Sequence, residues 1–170
     1  MRTLGDIPGA RRERIDCGGA VLSVQFMGPD DGVPVIMWHG FPELGYSWRH
    51  QAAALAGAGY RAIVPDLRGY GMSDRPEGTE AYAFPQLVGD VVGLINALGH
   101  GYAHLAGHDW GGSLCWATAA LMPDKVRSLM IVNSPHPVAS AECRQVPEQQ
   151  QKSWYMLMFQ FPGVAEEWLL

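Results

Sequence analysis

Short apolar runs alternate with longer amphipathic stretches along most of this chain. Apolar runs bounded by turn residues predict buried strands, and apolar positions three and four residues apart predict helices. We expect a pair of strands around Arg14 to Gln25 and single strands near residues 34–38, 61–65, 102–107 and 126–132. Helices are expected near residues 47–57, 84–98 and 111–121. This alternation predicts a mostly parallel sheet with helices on both faces, which is an α/β fold.

Composition supports a packed core and argues against several functions. Hydrophobic residues make up 48% of the chain and charged residues 17%, and no apolar run is long enough to span a membrane. A net charge of −5 offers no basic surface to nucleic acid. No signal peptide begins the chain and its three cysteines lack metal-binding spacing, which favours a reduced, cytoplasmic setting. No phosphate-binding loop or other cofactor motif is present.

Residues 107–112, Gly-His-Asp-Trp-Gly-Gly, have the glycine spacing of a nucleophile elbow with Asp109 in the usual place of serine. An expected strand precedes this turn and a helical run of small residues follows it. An ionised aspartate can displace a leaving group at a saturated carbon, which leaves an ester on the enzyme. We therefore predict Asp109 as a nucleophile and the N–H of Trp110 as an oxyanion-hole donor. The alternative is that Asp109 merely caps the following helix.

A second turn, His39-Gly40-Phe41-Pro42, follows the expected strand at 34–38. In this architecture the loop after the third strand supplies the other oxyanion donor, which would be the N–H of Phe41. Pro42 stiffens the loop behind that donor. Taken alone, the segment is better explained as a turn that ends a strand.

Asp66 and Arg68 lie in a third, glycine-rich loop at residues 66–74. Charged groups beside buried strand ends are usually paired for structural reasons. We therefore expect an ion pair or a hydrogen-bond hub in this loop rather than catalytic groups.

Together these residues resemble the α/β-hydrolase superfamily and, within it, the epoxide hydrolases that use an aspartate nucleophile. The resemblance rests on residues 39–42, 66–73, 107–112 and 153–166. It implies an α/β-hydrolase fold that is truncated after the start of the cap. Residues 1–134 would form the amino-terminal part of the core domain, and residues 135–170 a connector and the beginning of the helical cap, or lid.

The resemblance also implies a site and a reaction. Tyr155, in the cap segment, would donate a hydrogen bond to the epoxide oxygen, while the alternative is that it only packs against Phe159 on one helix face. His39, Pro42, Trp110 and Phe159 would line the substrate pocket. The expected substrates are a small apolar epoxide and water, which give a vicinal diol without a metal or another cofactor.

The resemblance covers roughly residues 20–169, about half of an ordinary family member. The family's water-activating histidine and its acid partner follow the cap, and nothing follows Leu170 in this sequence. All six histidines precede the cap segment, and only His136 follows a strand that ends near Asp109. We therefore expect alkylation of Asp109 without ready hydrolysis. The strand at 126–132 would be an exposed edge, open to self-association or to a complementary carboxyl-terminal half.

Two other functions are compatible with the same residues. A haloalkane or haloacid dehalogenase shares the aspartate elbow, and Trp110 stands where a halide-binding tryptophan would. Phe41, in a place where a polar halide donor is typical, and Tyr155 favour the epoxide. The third hypothesis is a catalytically inactive fragment, or a module that binds a ligand or a partner, because the histidine and the acid are missing.

Overall fold

The computed structural model describes residues 5–169, in which helices flank a sheet of six strands. The strands are Arg11–Asp16 (β1), Val21–Met27 (β2), Pro34–Trp38 (β3), Arg61–Pro65 (β4), Ala103–His108 (β5) and Val126–Val132 (β6). The α-helices are Arg49–Gly57 (α1), Phe84–Ala97 (α2), Trp110–Leu121 (α3), Pro137–Cys143 (α4), Pro147–Lys152 (α5), Trp154–Met158 (α6) and Val164–Leu169 (α7). Short 3-10 helices occupy Gly45–Trp48, Thr79–Tyr82 and Pro123–Lys125.

The strands lie in the order β1-β2-β4-β3-β5-β6. β2 pairs antiparallel with β1 and β4, whereas the pairs β4–β3, β3–β5 and β5–β6 are parallel. The predicted α/β-hydrolase fold, with a mostly parallel sheet flanked by helices, is confirmed. Parallel pairing places the carboxyl ends of β3, β4, β5 and β6 at one edge of the sheet, where the loops with the candidate chemistry begin.

The core has two layers because side chains alternate between the two faces of a strand. Ile36 and Leu105 belong to the apolar cluster that includes residues of α2 and α3. Met37 and Ala106, one position further along each strand, belong to the cluster on the other face with Ala52 of α1. Strands buried on both faces read as continuous apolar runs, which is why their bounds could be predicted closely.

The chain divides into two compact units, one ending at Ser134 and the other beginning at Pro135. The first contains the sheet with α1 to α3, and the second contains α4 to α7. The segment predicted as a connector, residues 135–146, holds the short helix α4. Pro137 fits the first helical turn, and the Nδ1 atom of His136 accepts a hydrogen bond from the N–H of Val138. These start signals explain a helix where a connector was expected.

The two edges of the described sheet differ in character. β1 carries arginines that pair with acidic residues, such as Arg11 with Asp30 at 3.2 Å. β6 pairs with β5 alone among the described strands and exposes apolar side chains, including half of the surface of Met130. Exposed apolar edges favour pairing with further strands. Within residues 5–169, no helix is both long enough and apolar enough to cross a membrane.

Candidate active site

Asp109 lies on a sharp turn between β5 and α3. Its φ of 51° and that of Asn133, 52°, are the two positive values among non-glycine residues in the described chain. Such backbone costs about 1–3 kcal/mol and persists where the surrounding structure imposes it. Here the N–H of Asp109 donates to the carbonyl oxygen of Val132, the last residue of β6, at 3.1 Å. One of the two strained positions is thus the predicted nucleophile, as in a nucleophile elbow.

Three glycines allow the close approach of backbone segments around Asp109. A Cβ atom at Gly107 would lie 2.4 Å from the carbonyl oxygen of Gly111, and one at Gly111 would lie 2.2 Å from that of Trp38. A Cβ atom at Gly40 would lie 2.6 Å from the Cβ atom of Asp109. The glycine spacing that predicts the elbow therefore has a steric basis in the fold.

The Gly111→Ala variant is expected to lose about 1–3 kcal/mol of unfolding free energy, because the new methyl group overlaps backbone that cannot move aside. The measurement is urea denaturation followed by circular dichroism. The matched control is Gly89→Ala in α2, where a Cβ atom meets nothing within 4 Å. This control should be neutral or gain up to about 1 kcal/mol from helix propensity. Equal stability of the two variants would contradict the steric argument.

The loop after β3 reaches the nucleophile from the neighbouring strand. The N–H of Phe41 donates to Oδ1 of Asp109 at 3.1 Å. The N–H of Gly111, in the first turn of α3, donates to the carbonyl oxygen of His39 at 3.1 Å. The structure thus brings together Phe41 and Asp109, which sequence analysis paired as oxyanion donor and nucleophile. The Phe41–Pro42 peptide bond is cis.

His39 is buried beneath this loop and does not face the open end of the sheet. Its side chain has no solvent exposure, its ring packs edge-on against Tyr70 at 5.0 Å, and both ring nitrogens make hydrogen bonds. Burial lowers the pKa of His39 below its ordinary value. The prediction that His39 lines the substrate pocket is therefore corrected, since its hydrogen bonds support the loop from below.

Trp110 begins α3, and its indole is 48% exposed beside a cavity of about 230 Å³. The cavity is mainly apolar and is lined by Leu67, Arg68, Tyr70, Tyr82, Leu87, Trp110 and Leu114. Burial raises the pKa of Tyr70, and the negative charge of Asp109 adds to this effect. Sequence analysis did not single out Tyr70 as a site residue. Its place in the glycine-rich loop at residues 66–74 was the available signal.

Glu43 and His108 form a polar pair next to these residues, with 3.3 Å between Oε2 and Nδ1. His108 immediately precedes Asp109, and Glu43 immediately follows the His39–Pro42 turn. Sequence analysis did not single out Glu43 as a site residue. The pair links the same two loops that the bond between Phe41 and Asp109 links.

The expectation of structural pairing for Asp66 and Arg68 is confirmed. Oδ1 of Asp66 accepts the N–H of Gly45 at 2.9 Å, and Oδ2 lies 3.3 Å from the guanidinium of Arg12. Arg68 donates to both carboxylate oxygens of Asp90, at 2.8 and 2.6 Å. This bidentate hydrogen bonding raises the pKa of Arg68. Because Asp90 neutralises Arg68, the cavity beside Trp110 offers the arginine stem rather than a free positive charge.

Tyr155 and Phe159 lie in the second unit, where their rings meet edge to face at 6.0 Å. The predicted i, i+4 contact is therefore present, and 44% of Tyr155 is exposed. Their predicted roles at the substrate, like that of Pro42, stay predictions. Within residues 5–169, no group of three or more histidine, cysteine, aspartate or glutamate residues is arranged to hold a metal ion.

Acid is expected to destabilise the fold partly through His100. Burial lowers its pKa below 6.5, and the nearby positive charge of Arg61 adds to this effect. Below pH 6.5 the unfolded chain therefore binds a proton at His100 more readily than the folded chain does. The free energy of unfolding is unaffected by this group above pH 6.5 and decreases as the pH falls below that value. The urea midpoint should consequently fall less between pH 7.5 and 5 in His100→Gln than in the parent. His50→Gln, at an exposed position, is the control, and an unchanged pH dependence in His100→Gln would contradict the prediction.

Comparison with known proteins shows the family to which this chain belongs. The family model described as alpha/beta hydrolase fold matches residues 33–166. Epoxide hydrolase A of Mycobacterium tuberculosis is 42% identical, over 93% of this chain and 50% of its own length. The AB hydrolase superfamily protein YfhM of Bacillus subtilis is 39% identical, over 93% of this chain and 56% of its own length. The chain therefore spans about half the length of the curated relatives it matches.

The solved structures that match this chain include epoxide hydrolases, and the match again covers about half of their length. The crystal structure of the epoxide hydrolase VrEH1 from Vigna radiata matches with a TM-score of 0.81 and 36% identity, over 95% of this chain and 53% of that one. Epoxide hydrolase A from Mycobacterium thermoresistibile matches with a TM-score of 0.78 and 38% identity, over 92% of this chain and 50% of that one.

Proposed function

Because this chain belongs to the α/β hydrolase fold family and resembles epoxide hydrolases over most of its length, we propose that Asp109 attacks an epoxide. The product of this attack is an alkyl-enzyme ester, which water then hydrolyses to a vicinal diol. The observation that carries the proposal is the carboxylate of Asp109 on a strained turn with the N–H of Phe41 at 3.1 Å. A carboxylate held in this way needs no base before it attacks.

In the first step, an Oδ atom of Asp109 forms a bond to an epoxide carbon. The ring C–O bond breaks, and its electron pair goes to the epoxide oxygen. We assign to Tyr155 the donation of its phenolic proton to that oxygen, because an alkoxide is a poor leaving group without a proton. The aspartate becomes a hydroxyalkyl ester, the epoxide loses no atoms, and the phenolate of Tyr155 regains a proton from solvent water.

In the second step, water attacks the ester carbonyl carbon, which is the Cγ atom of Asp109. Negative charge develops on the carbonyl oxygen of the same side chain, and the N–H groups of Phe41 and Trp110 are the proposed donors to it. The bond from Cγ to the alkyl oxygen then breaks, the alkyl oxygen takes up a proton released by the attacking water, and the diol leaves. The attacking water needs a base, and His39, the histidine in the loop that carries Phe41, has both ring nitrogens engaged in hydrogen bonds. We therefore propose that the ester of Asp109 persists long enough in this polypeptide to be detected.

The surroundings of Asp109 support a small apolar substrate. The adjoining cavity is mainly apolar, and its one arginine is neutralised by Asp90. We propose Trp110, Pro42 and Phe159 as walls of the substrate site, with His39 behind the loop. We also propose that the exposed edge of β6 accepts a complementary carboxyl-terminal half or, without one, a second copy of the chain.

One observation favours a second candidate function. The indole of Trp110 is about half exposed next to Asp109, and an indole N–H can donate to a departing halide. The same nucleophile would then displace halide from a haloalkane. A catalytically inactive module that binds a ligand or a partner is the third candidate, and it needs no reaction at Asp109.

Intact-mass spectrometry after incubation with styrene oxide or with a 1-haloalkane distinguishes these functions. An epoxide hydrolase-like site gains the full mass of styrene oxide, because ring opening releases no group. A dehalogenase-like site gains only the alkyl group of the haloalkane and releases halide. An adduct with styrene oxide alone would support the proposal. Reaction with neither compound, and no diol, would favour the inactive module.

A further inference from the structure

His39 connects three backbone segments that meet at Asp109. Its Nδ1 atom lies 2.9 Å from the carbonyl oxygen of Gly40, and its Nε2 atom lies 2.9 Å from the backbone nitrogen of Leu67. Its own carbonyl oxygen accepts the N–H of Gly111 at 3.1 Å. One fully buried residue thus holds the loop after β3 against the loop after β4 and against the first turn of α3.

These partners fix the protonation state of the ring. The N–H of Leu67 can only donate, so Nε2 of His39 must be unprotonated and accept. The carbonyl of Gly40 can only accept, so Nδ1 must carry the proton and donate. The neutral Nδ1–H tautomer satisfies both bonds, whereas a doubly protonated ring would set an N–H against the N–H of Leu67.

The bond to Gly40 also acts on the proposed oxyanion donor. The carbonyl of Gly40 and the N–H of Phe41 belong to one peptide group, which is planar and, unlike the Phe41–Pro42 bond, trans. In a trans peptide the C=O and the N–H point in opposite directions. The oxygen of this group accepts from Nδ1 of His39 and also from the N–H of Glu43, at 2.9 Å each. Hydrogen bonds that hold this oxygen also set the direction of the N–H of Phe41, which points at Oδ1 of Asp109 at 3.1 Å.

We infer that His39 is a positioning residue, which aims the N–H of Phe41 at Asp109 by holding the opposite end of the same peptide group. This inference rests on the proposed function, in which the N–H of Phe41 donates to the oxyanion that forms when the ester of Asp109 is attacked. The charged or titratable groups around His39 are Asp66, Glu43 and His108, and the ring of Tyr70 packs against it. Burial outweighs the two carboxylates and keeps the ring neutral.

Two substitutions separate the two hydrogen bonds of the ring. The amide nitrogen of asparagine falls near the Nδ1 position, so His39→Asn can keep the bond to the carbonyl of Gly40. The amide oxygen of glutamine reaches the Nε2 position, so His39→Gln can keep the bond to the N–H of Leu67. Both variants lose the aromatic ring and bury an amide, which makes each a control for the other.

The reaction to measure is cleavage of the preformed Asp109 ester by hydroxylamine, because this nucleophile needs no protein base. Each protein is first converted to its styrene oxide adduct, and loss of the adduct mass is then followed over time. Loss of one oxyanion donor slows such reactions about 10²- to 10³-fold. Misdirection of the donor in His39→Gln should therefore slow cleavage by about tenfold or more, while His39→Asn stays within about threefold of the parent. Equal rates for the two variants would overturn the inference.

Two further measurements accompany this test. The rate of adduct formation, taken from the same samples, reports the proposed function separately, since alkylation makes no oxyanion on Asp109. Long-range proton–nitrogen NMR of the parent chain should show a protonated Nδ1 and an unprotonated Nε2 on His39 at neutral pH. A proton on Nε2 would overturn the inference even if the variants fail to fold or no adduct forms.

Discussion

Replacement of Asp109 by asparagine is expected to abolish covalent capture of styrene oxide. The amide is nearly the same size as the carboxylate, and its oxygen can still accept the N–H of Phe41, so the turn should persist. An amide oxygen lacks the negative charge that allows a carboxylate to displace a leaving group at saturated carbon. Intact-mass spectrometry should therefore show a stoichiometric adduct in the parent chain and none in Asp109→Asn.

A matched control separates loss of the nucleophile from a general change in charge. Asp124 is exposed in the 3-10 helix before β6, and Asp124→Asn makes the same chemical change away from the elbow. This variant should form the adduct at the parental rate. Peptide mapping of the parent adduct should place the added mass on the peptide that contains Asp109. An adduct of equal yield in Asp109→Asn would show that another residue reacts and would remove the basis of the proposed function.

Replacement of Tyr155 by phenylalanine is expected to slow formation of the adduct about 10²- to 10⁴-fold, which is the usual contribution of a general acid. The hydroxyl would no longer give its proton to the epoxide oxygen as the ring opens. The substitution keeps the aromatic ring, so the edge-to-face contact with Phe159 at 6.0 Å should remain. The rate is measured in single turnover from the growth of the adduct mass.

Capture of a haloalkane, where the chain supports it, provides an internal comparison for Tyr155. Departure of halide leaves no alkoxide that needs a proton, so Tyr155→Phe should not slow this reaction. Tyr60→Phe, at a half-exposed position after α1, controls for the loss of a phenolic hydroxyl. An unchanged rate with styrene oxide in Tyr155→Phe would leave Tyr155 as a packing residue only.

The sequence alone determined the elements and the most local part of the candidate site. The predicted strands at 34–38, 61–65 and 126–132 have the bounds of β3, β4 and β6. Apolar runs and turn residues act over a few positions, so neighbouring residues suffice to identify them. The elbow was readable for the same reason, because strand, turn, helix and glycines are contiguous in the chain.

The tertiary structure decided which distant loops meet. The sheet order places β3 beside β5 although β4 lies between them in the chain, and this order brings the N–H of Phe41 to Asp109, 68 residues away. The pairing of Arg68 with Asp90 arises in the same way from the packing of α2. The residue type alone does not show whether a histidine lines a pocket or supports a loop. His39 supports the loop because its ring is buried where the N–H of Leu67 meets it, a contact that exists only once three strand ends are aligned.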